Sequence, residues 1–112
     1  MSESFSSLIR TSRKNKGYSQ RELAKLIGLD FTYLSKLEND RAEYAPKEEI
    51  IRKLARHLEL DEEELIFLAG RIPQKEEELL KQHYQDLPIL FRRMRENPEF
   101  ARKVFQQANK TD

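Results

Sequence analysis

Residues 19–39 read SQRELAKLIGLDFTYLSKLEN, and the reading of this run decides the fold. It predicts two short helices joined by a tight turn. Ser19 is a good N-cap and Glu22 stands three residues later, so Ser19-Gln20-Arg21-Glu22 has the pattern of a capping box. Leu23, Ala24, Leu26 and Ile27 then supply an apolar face at helical spacing. Gly28 follows at once, and glycine takes a positive φ without a Cβ clash, which makes it a natural stop just past a helix end. Asp30 can cap the next helix, in which Leu34 and Leu37 fall three apart on one face. Phe31, Thr32, Ser35 and Lys36 point elsewhere. Polar residues and one aromatic on the outer face of a short, well-capped helix suit a surface that touches something.

Working outward, residues 4–16 predict a first helix. Phe5, Leu8 and Ile9 form its buried side, Arg10, Arg13, Lys14 and Lys16 a basic flank, and Gly17 its end. Tyr18 precedes the Ser19 cap, where it can pack as a staple-like contact. On the other side, Pro46 is placed to open a fourth helix, where a missing N–H costs nothing. Ile50, Ile51, Leu54, Ala55 and Leu58 are its core face. Asp61 with Glu64 forms a second capping-box pattern, with Leu60 and Leu65 placed for a hydrophobic staple. Leu65, Phe67 and Leu68 carry a fifth helix to Gly70. Beyond it, Pro73 and the acidic run 76–78 suit a helix start. Asp86-Leu87-Pro88 marks a break and restart, and Asn97-Pro98 an N-cap followed by proline at the first helical position. Strand-like alternation is absent, and the fold class is all-α.

A chain of 112 residues allows one domain plus an appendage. There is no cysteine, hence no disulfide frame and no thiolate metal site, which suits a reducing compartment. No apolar run approaches the roughly 18 residues a membrane span needs, and the N-terminus lacks a basic-then-apolar signal pattern. A cytoplasmic protein is expected, with no membrane partner. Net charge is only +1, which argues against a broadly basic polyanion binder. The distribution is uneven: net +2 over residues 1–45, −6 over residues 59–78 and +3 over residues 87–112. A DNA reader needs a local positive footprint rather than a positive average.

Residues 19–41, S-Q-x-E-L-A-x-x-I-G-L-D-x-x-Y-L-S-K-L-E-N-D-R, resemble the helix-turn-helix of the phage Cro/repressor-like (Xre-type) DNA-binding regulators. The likeness keeps its spacing without gaps, runs from about Phe5 to Leu68 and leaves the last forty or so residues unassigned. It implies a five-helix lambda-repressor-like domain over residues 1–70 and a helical extension over 71–112. The function it implies is a sequence-specific, double-stranded DNA-binding transcriptional regulator, expected to be a repressor acting as a homodimer on a pseudo-palindromic operator. By this resemblance Phe31, Thr32, Ser35 and Lys36 read bases. Lys36 can donate to guanine O6 and N7, Thr32 and Ser35 to either kind of edge, and the Thr32 methyl and Phe31 ring can touch a thymine methyl. Gln20 is expected to bond a phosphate and brace the reading helix, and Tyr33, Asn39 and Arg41 to reach the backbone. Tyr33 is equally readable as a packing residue. Arg13 and Glu38 match a partly buried salt bridge between the first and third helices. The family pattern has glycine where Asp40 stands and a shorter loop, so either Asp40 takes a left-handed turn or the loop follows another route.

The extension keeps Leu87, Ile89, Leu90, Phe100, Val104 and Phe105, which a chain does not leave in water. They either pack back on the first five helices, form a homodimer interface, or bind a partner protein. A dimer would set two reading helices one DNA turn apart, roughly 34 Å. The alternatives to an operator-binding repressor are an antitoxin or restriction-controller type regulator whose C-terminal helices bind a partner, and a protein-interaction module without DNA binding. Enzymatic activity is not expected. His57 and His83 stand far apart without ligand spacing, and the acidic triplets 62–64 and 76–78 point in different directions around a helix. No phosphate-binding glycine loop or nucleophile elbow is present. Neither a metal nor a cofactor is expected.

Overall fold

A computed structural model describes residues 4–110, and all regular structure among them is helical. α1 runs Phe5–Asn15, α2 Gln20–Ile27, α3 Phe31–Glu38, α4 Glu48–Leu58 and α5 Glu62–Leu68. A single 3₁₀ turn, Gln74–Glu76, leads into α6 (Glu77–Gln82), followed by α7 (Asp86–Glu96) and α8 (Pro98–Ala108).

Local chemistry places most of these boundaries. The Ser4 hydroxyl accepts from the Ser7 N–H at 3.1 Å and starts α1. Ser19 and Glu22 form the full reciprocal box, each bond 3.0 Å long, which satisfies two donors that the first turn of α2 would otherwise leave unpaired. Asp30 caps α3 through the Tyr33 N–H at 3.3 Å. Gly28 sits at φ 68°, and the next N–H, that of Leu29, turns back to the Ala24 carbonyl at 2.8 Å. Asp61 caps α5 by accepting from the Glu64 N–H at 2.9 Å, the forward half of the box expected there. Asn97 caps α8 with Pro98 in its first turn.

One boundary differs from the sequence reading. Pro46 does not open α4. The helix starts at Glu48, with Lys47 as an extended N-cap that makes no side-chain cap bond. Pro46 is buried, and its carbonyl and that of Ala45 (2.8 Å) both accept from the Arg71 guanidinium. Those bonds hold residues 45–46 in the loop. Glu59 ends α4 at φ 57° without being a glycine. Asp40 also takes the left-handed turn, at φ 56°, which settles the route of the loop after α3.

One apolar cluster holds α1–α5 together. It contains Ile9 of α1, Leu23, Ala24 and Ile27 of α2, Leu34 and Leu37 of α3, Ile51, Leu54, Ala55 and Leu58 of α4, and Leu65 and Ile66 of α5. Fully burying one such large aliphatic side chain stabilises by about 1.5–3 kcal/mol. Phe5, Leu8, Tyr18, Leu29, Phe31 and Tyr33 pack around its edge.

The chain divides into two compact units between Gln74 and Lys75. The first continues past Gly70 because Arg71 is bonded to the loop carbonyls, Pro73 is fully buried, and the Gln74 N–H donates to Glu48 Oε1 at 2.7 Å. In the second unit α7 packs against α8. Leu87, Leu90 and Met94 of α7 and Phe100, Ala101 and Val104 of α8 are half-buried, and the Arg93 guanidinium lies 4.1 Å above the Phe100 ring centroid. None of the residues of α6, α7 or α8 is fully buried. Ile89, Phe91 and Phe105 are more than half exposed, at 54%, 52% and 57%.

Candidate nucleic-acid interface

The geometry is built around one carboxylate. Glu38 is the last residue of α3, and its side chain is completely buried. Arg13 of α1 meets it with two parallel bonds, Nε to Oε2 at 2.7 Å and Nη2 to Oε1 at 2.9 Å. Gln20, the first residue of α2, donates through Nε2 to Oε1 at 3.0 Å. The remaining edge of Arg13 donates through Nη1 to the Tyr18 carbonyl at 2.8 Å, at the link between α1 and α2. Donors from α1 and α2 thus converge on the end of α3. Among the described residues no buried side-chain polar atom is left without a partner, as a buried charge demands.

Held from behind by this carboxylate and by buried Leu34 and Leu37, α3 keeps a fixed outer face. Thr32 and Lys36 are exposed and Ser35 half-exposed. Among the described residues the side chains of Thr32 and Lys36 make no hydrogen bond or ion pair. Thr32 and Lys36 are four apart, which puts them on one side of the helix. Phe31 is half-buried, packs on the core edge, and carries the Arg21 guanidinium 4.3 Å above its ring centroid. Tyr33 is half-buried and packs on the core edge too. Asn39 turns its amide onto the end of α3, with Nδ2 donating to the Ser35 carbonyl at 2.8 Å and lying 3.4 Å from its hydroxyl. Arg41 is exposed just beyond, its backbone N–H bonded to the Lys36 carbonyl at 2.8 Å. Of the residues expected to act together, Thr32, Ser35 and Lys36 share the α3 surface and Arg41 flanks it. Gln20 stands behind α3 rather than on its face.

Ion pairs gather on α4 and α5, although exposed Lys53 of α4 has no carboxylate partner among the described residues and Lys16, at the end of α1, pairs with Glu59. On α4 and α5, Arg52 bonds Glu48 (3.1 Å) and Glu62 (3.0 Å), and Arg56 bonds Glu62 at 3.3 Å. The Glu48 carboxyl is held below its ordinary pKa, first by the Gln74 N–H and then by Arg52. On α1–α3 and the loop that follows, Arg10, Lys14, Arg21, Lys25, Lys36 and Arg41 are exposed, and among the described residues none has a carboxylate partner. Such unneutralised cations are what a polyanion can use.

Arg21 was missed by sequence reasoning. It follows Gln20 in a run that reads as a capping box, and its partner Phe31 lies ten residues away on another helix. Among the described residues no cluster of three or more His, Asp or Glu is placed to hold an ion. Among the same residues no helix is long and apolar enough to cross a membrane.

Known proteins are similar to this chain. The helix-turn-helix family model HTH_3 matches residues 9–65. A 10 kDa protein of the ImmF control region of Bacillus phage phi105 is 41% identical over 54 residues, 48% of this chain. The chain spans 58% of that relative's length. A structure of the SinR protein/SinI protein complex superimposes with a TM-score of 0.52 at 23% identity, over 94% of this chain and 99% of that one, a likeness of fold. A hypothetical transcription factor from Neisseria is 34% identical, covers 68% of this chain and 79% of its own, and superimposes with a TM-score of 0.49. The extent of the family match, about half of the chain and including α2 and α3, shows that the chain belongs to the helix-turn-helix family of Xre and Cro/CI-like regulators.

Proposed function

We propose that the protein is a sequence-specific, double-stranded DNA-binding transcriptional repressor that lays α3 in the major groove. One observation carries this reading. Thr32 and Lys36 stand outward on a helix whose inner side is fixed by the buried Arg13–Glu38 pair, and neither spends its side chain on the protein itself. The major groove admits a helix and shows each base pair as a distinct set of donors and acceptors, so unspent donors on a rigid helix are the chemistry required. Thr32, Ser35 and Lys36 read base edges, and Arg41 with Asn39 faces phosphate. Gln20 positions α3 through Glu38, and its second amide hydrogen can reach a phosphate. Phosphate contacts fix register, whereas base contacts fix sequence.

The active species in this reading is a homodimer on a pseudo-palindromic operator. The exposed Ile89, Phe91 and Phe105 of the second unit support an interface there, since a two-helix hairpin cannot enclose its own apolar residues. The same exposed residues support a second reading, in which the hairpin binds a different protein. The SinR/SinI structure is an assembly of two proteins, and its fold runs the length of this chain.

A gel shift with the DNA upstream of the protein's own gene tests the function. The complex should survive competitor DNA and weaken as salt rises, because phosphate contacts release counterions. A chain that shifts specific and random DNA alike, or neither, refutes it.

A further inference from the structure

We propose that Arg21, clamped over the Phe31 ring, is a base-reading residue that takes the O6/N7 edge of a guanine. The proposal rests on α3 entering the major groove and deepens that reading at one position. Arg21 lies in the first turn of α2, Phe31 is the first residue of α3, and the guanidinium carbon sits 4.3 Å above the ring centroid. An aromatic face holds a guanidinium through its π-surface and leaves the five N–H donors at the rim uncommitted. The other guanidiniums with partners in the first unit spend those donors: Arg13 on Glu38 and the Tyr18 carbonyl, Arg52 on Glu48 and Glu62, Arg56 on Glu62, Arg71 on two loop carbonyls. Arg21 is exposed, and among the described residues no carboxylate or carbonyl accepts from it.

Stacking also supplies what a bidentate reader needs. A free arginine loses rotamer entropy when it docks on a base, and the ring removes part of that loss in advance. Arginine donating to both O6 and N7 of guanine is the commonest specific base contact. Phe31 then acts as the platform that aims Arg21, rather than as a reader itself. Its half-buried position under the guanidinium suits that role better than contact with a thymine methyl.

Site selection from random DNA by the full chain tests the proposal. The comparison is between wild type, Arg21→Ala, Arg21→Lys and Phe31→Leu. Wild type should select a guanine at one position of each half-site. Arg21→Ala should lose preference there by about 5- to 150-fold while other positions keep theirs, and Arg21→Lys should lose part of it, since lysine reaches the same edge as a point charge without the planar fork. Phe31→Leu, which keeps an apolar side chain on the core edge, should weaken the same position by a smaller factor. Equal weakening on all sequences, with a shallower salt slope, would make Arg21 a phosphate contact and overturn the proposal. Unchanged selection in Arg21→Ala overturns it as well. A wild-type chain that selects no sequence sinks the groove-reading function on which it rests.

Discussion

Breaking the Arg13–Glu38 pair from one side should be far more damaging than removing it whole. Glu38 is completely buried, Arg13 is 9% exposed, two bonds of 2.7 and 2.9 Å join them, and two more of 2.8 and 3.0 Å tie the pair to the Tyr18 carbonyl and to Gln20. Glu38→Leu would leave a buried guanidinium with one carbonyl partner and the Gln20 amide with none. The unpaired buried charge costs on the order of 3–5 kcal/mol. A small domain holds about 5–15 kcal/mol in all, so the first unit would approach its unfolding threshold. Arg13→Leu should do similar damage by stranding the carboxylate. The double variant Arg13→Leu/Glu38→Leu removes both desolvation penalties and adds apolar surface among Leu37 and its neighbours. It should recover at least half of the single-variant loss. Urea unfolding of the four chains gives the coupling energy directly. The reasoning fails if Glu38→Leu costs under about 1 kcal/mol, or if the double variant is as unstable as the two single losses added.

Other perturbations follow from the same geometry. Glu59→Gly should raise the melting temperature, since a left-handed non-glycine residue costs about 1–2 kcal/mol and the Lys16 ion pair it gives up is exposed; a lower melting temperature would show that the pair outweighs the strain. The Glu22 carboxyl is held below its ordinary range, first by the Ser19 N–H and then by the Ser19 hydroxyl. A depressed carboxyl pKa gives stability that is present above the unfolded value and lost as pH falls through the folded one, so Glu22→Gln should destabilise near neutral pH and converge on wild type in acid. Urea midpoints against pH read this, and a constant gap would exclude it. Lys36→Ala should relax one base position by roughly 1–3 kcal/mol, whereas Gln20→Ala should weaken every sequence alike; equal loss on all DNA from Lys36→Ala would make Lys36 a phosphate contact. Ile89→Asp with Phe105→Asp should leave helix content unchanged and give a monomer by sedimentation, and a persisting dimer would move the interface elsewhere.

The helix-turn-helix was legible because its determinants are local. Ser19 with Glu22, Gly28 and Asp30 each act within four residues, and a local rule places them. The Arg13–Glu38 pair came from resemblance alone, since nothing in either neighbourhood announces a partner 25 residues away. Pro46 misled because a loop carbonyl bound by distant Arg71 outweighs proline's preference for a first helical turn. Glu59 carried no glycine to mark its left-handed turn. Arg21 on Phe31 is a product of two helices packing, and helical periodicity is blind to it. The cis-or-trans fate of the C-terminal apolar residues was not legible either, because helical amphipathicity says that a face is buried without naming its cover.

The burial of Glu38 has a consequence for how such a protein can change its target. The carboxylate, with Leu34 and Leu37, fixes the pose of α3 from its inner side, and the side chains of Thr32 and Lys36 on the other side carry none of that burden. Helix-forming substitutions at those two exposed positions should cost the scaffold little, because neither side chain is bonded to it. In the proposed function, descendants of this chain could therefore acquire new operators one surface residue at a time, without first re-solving the folding problem.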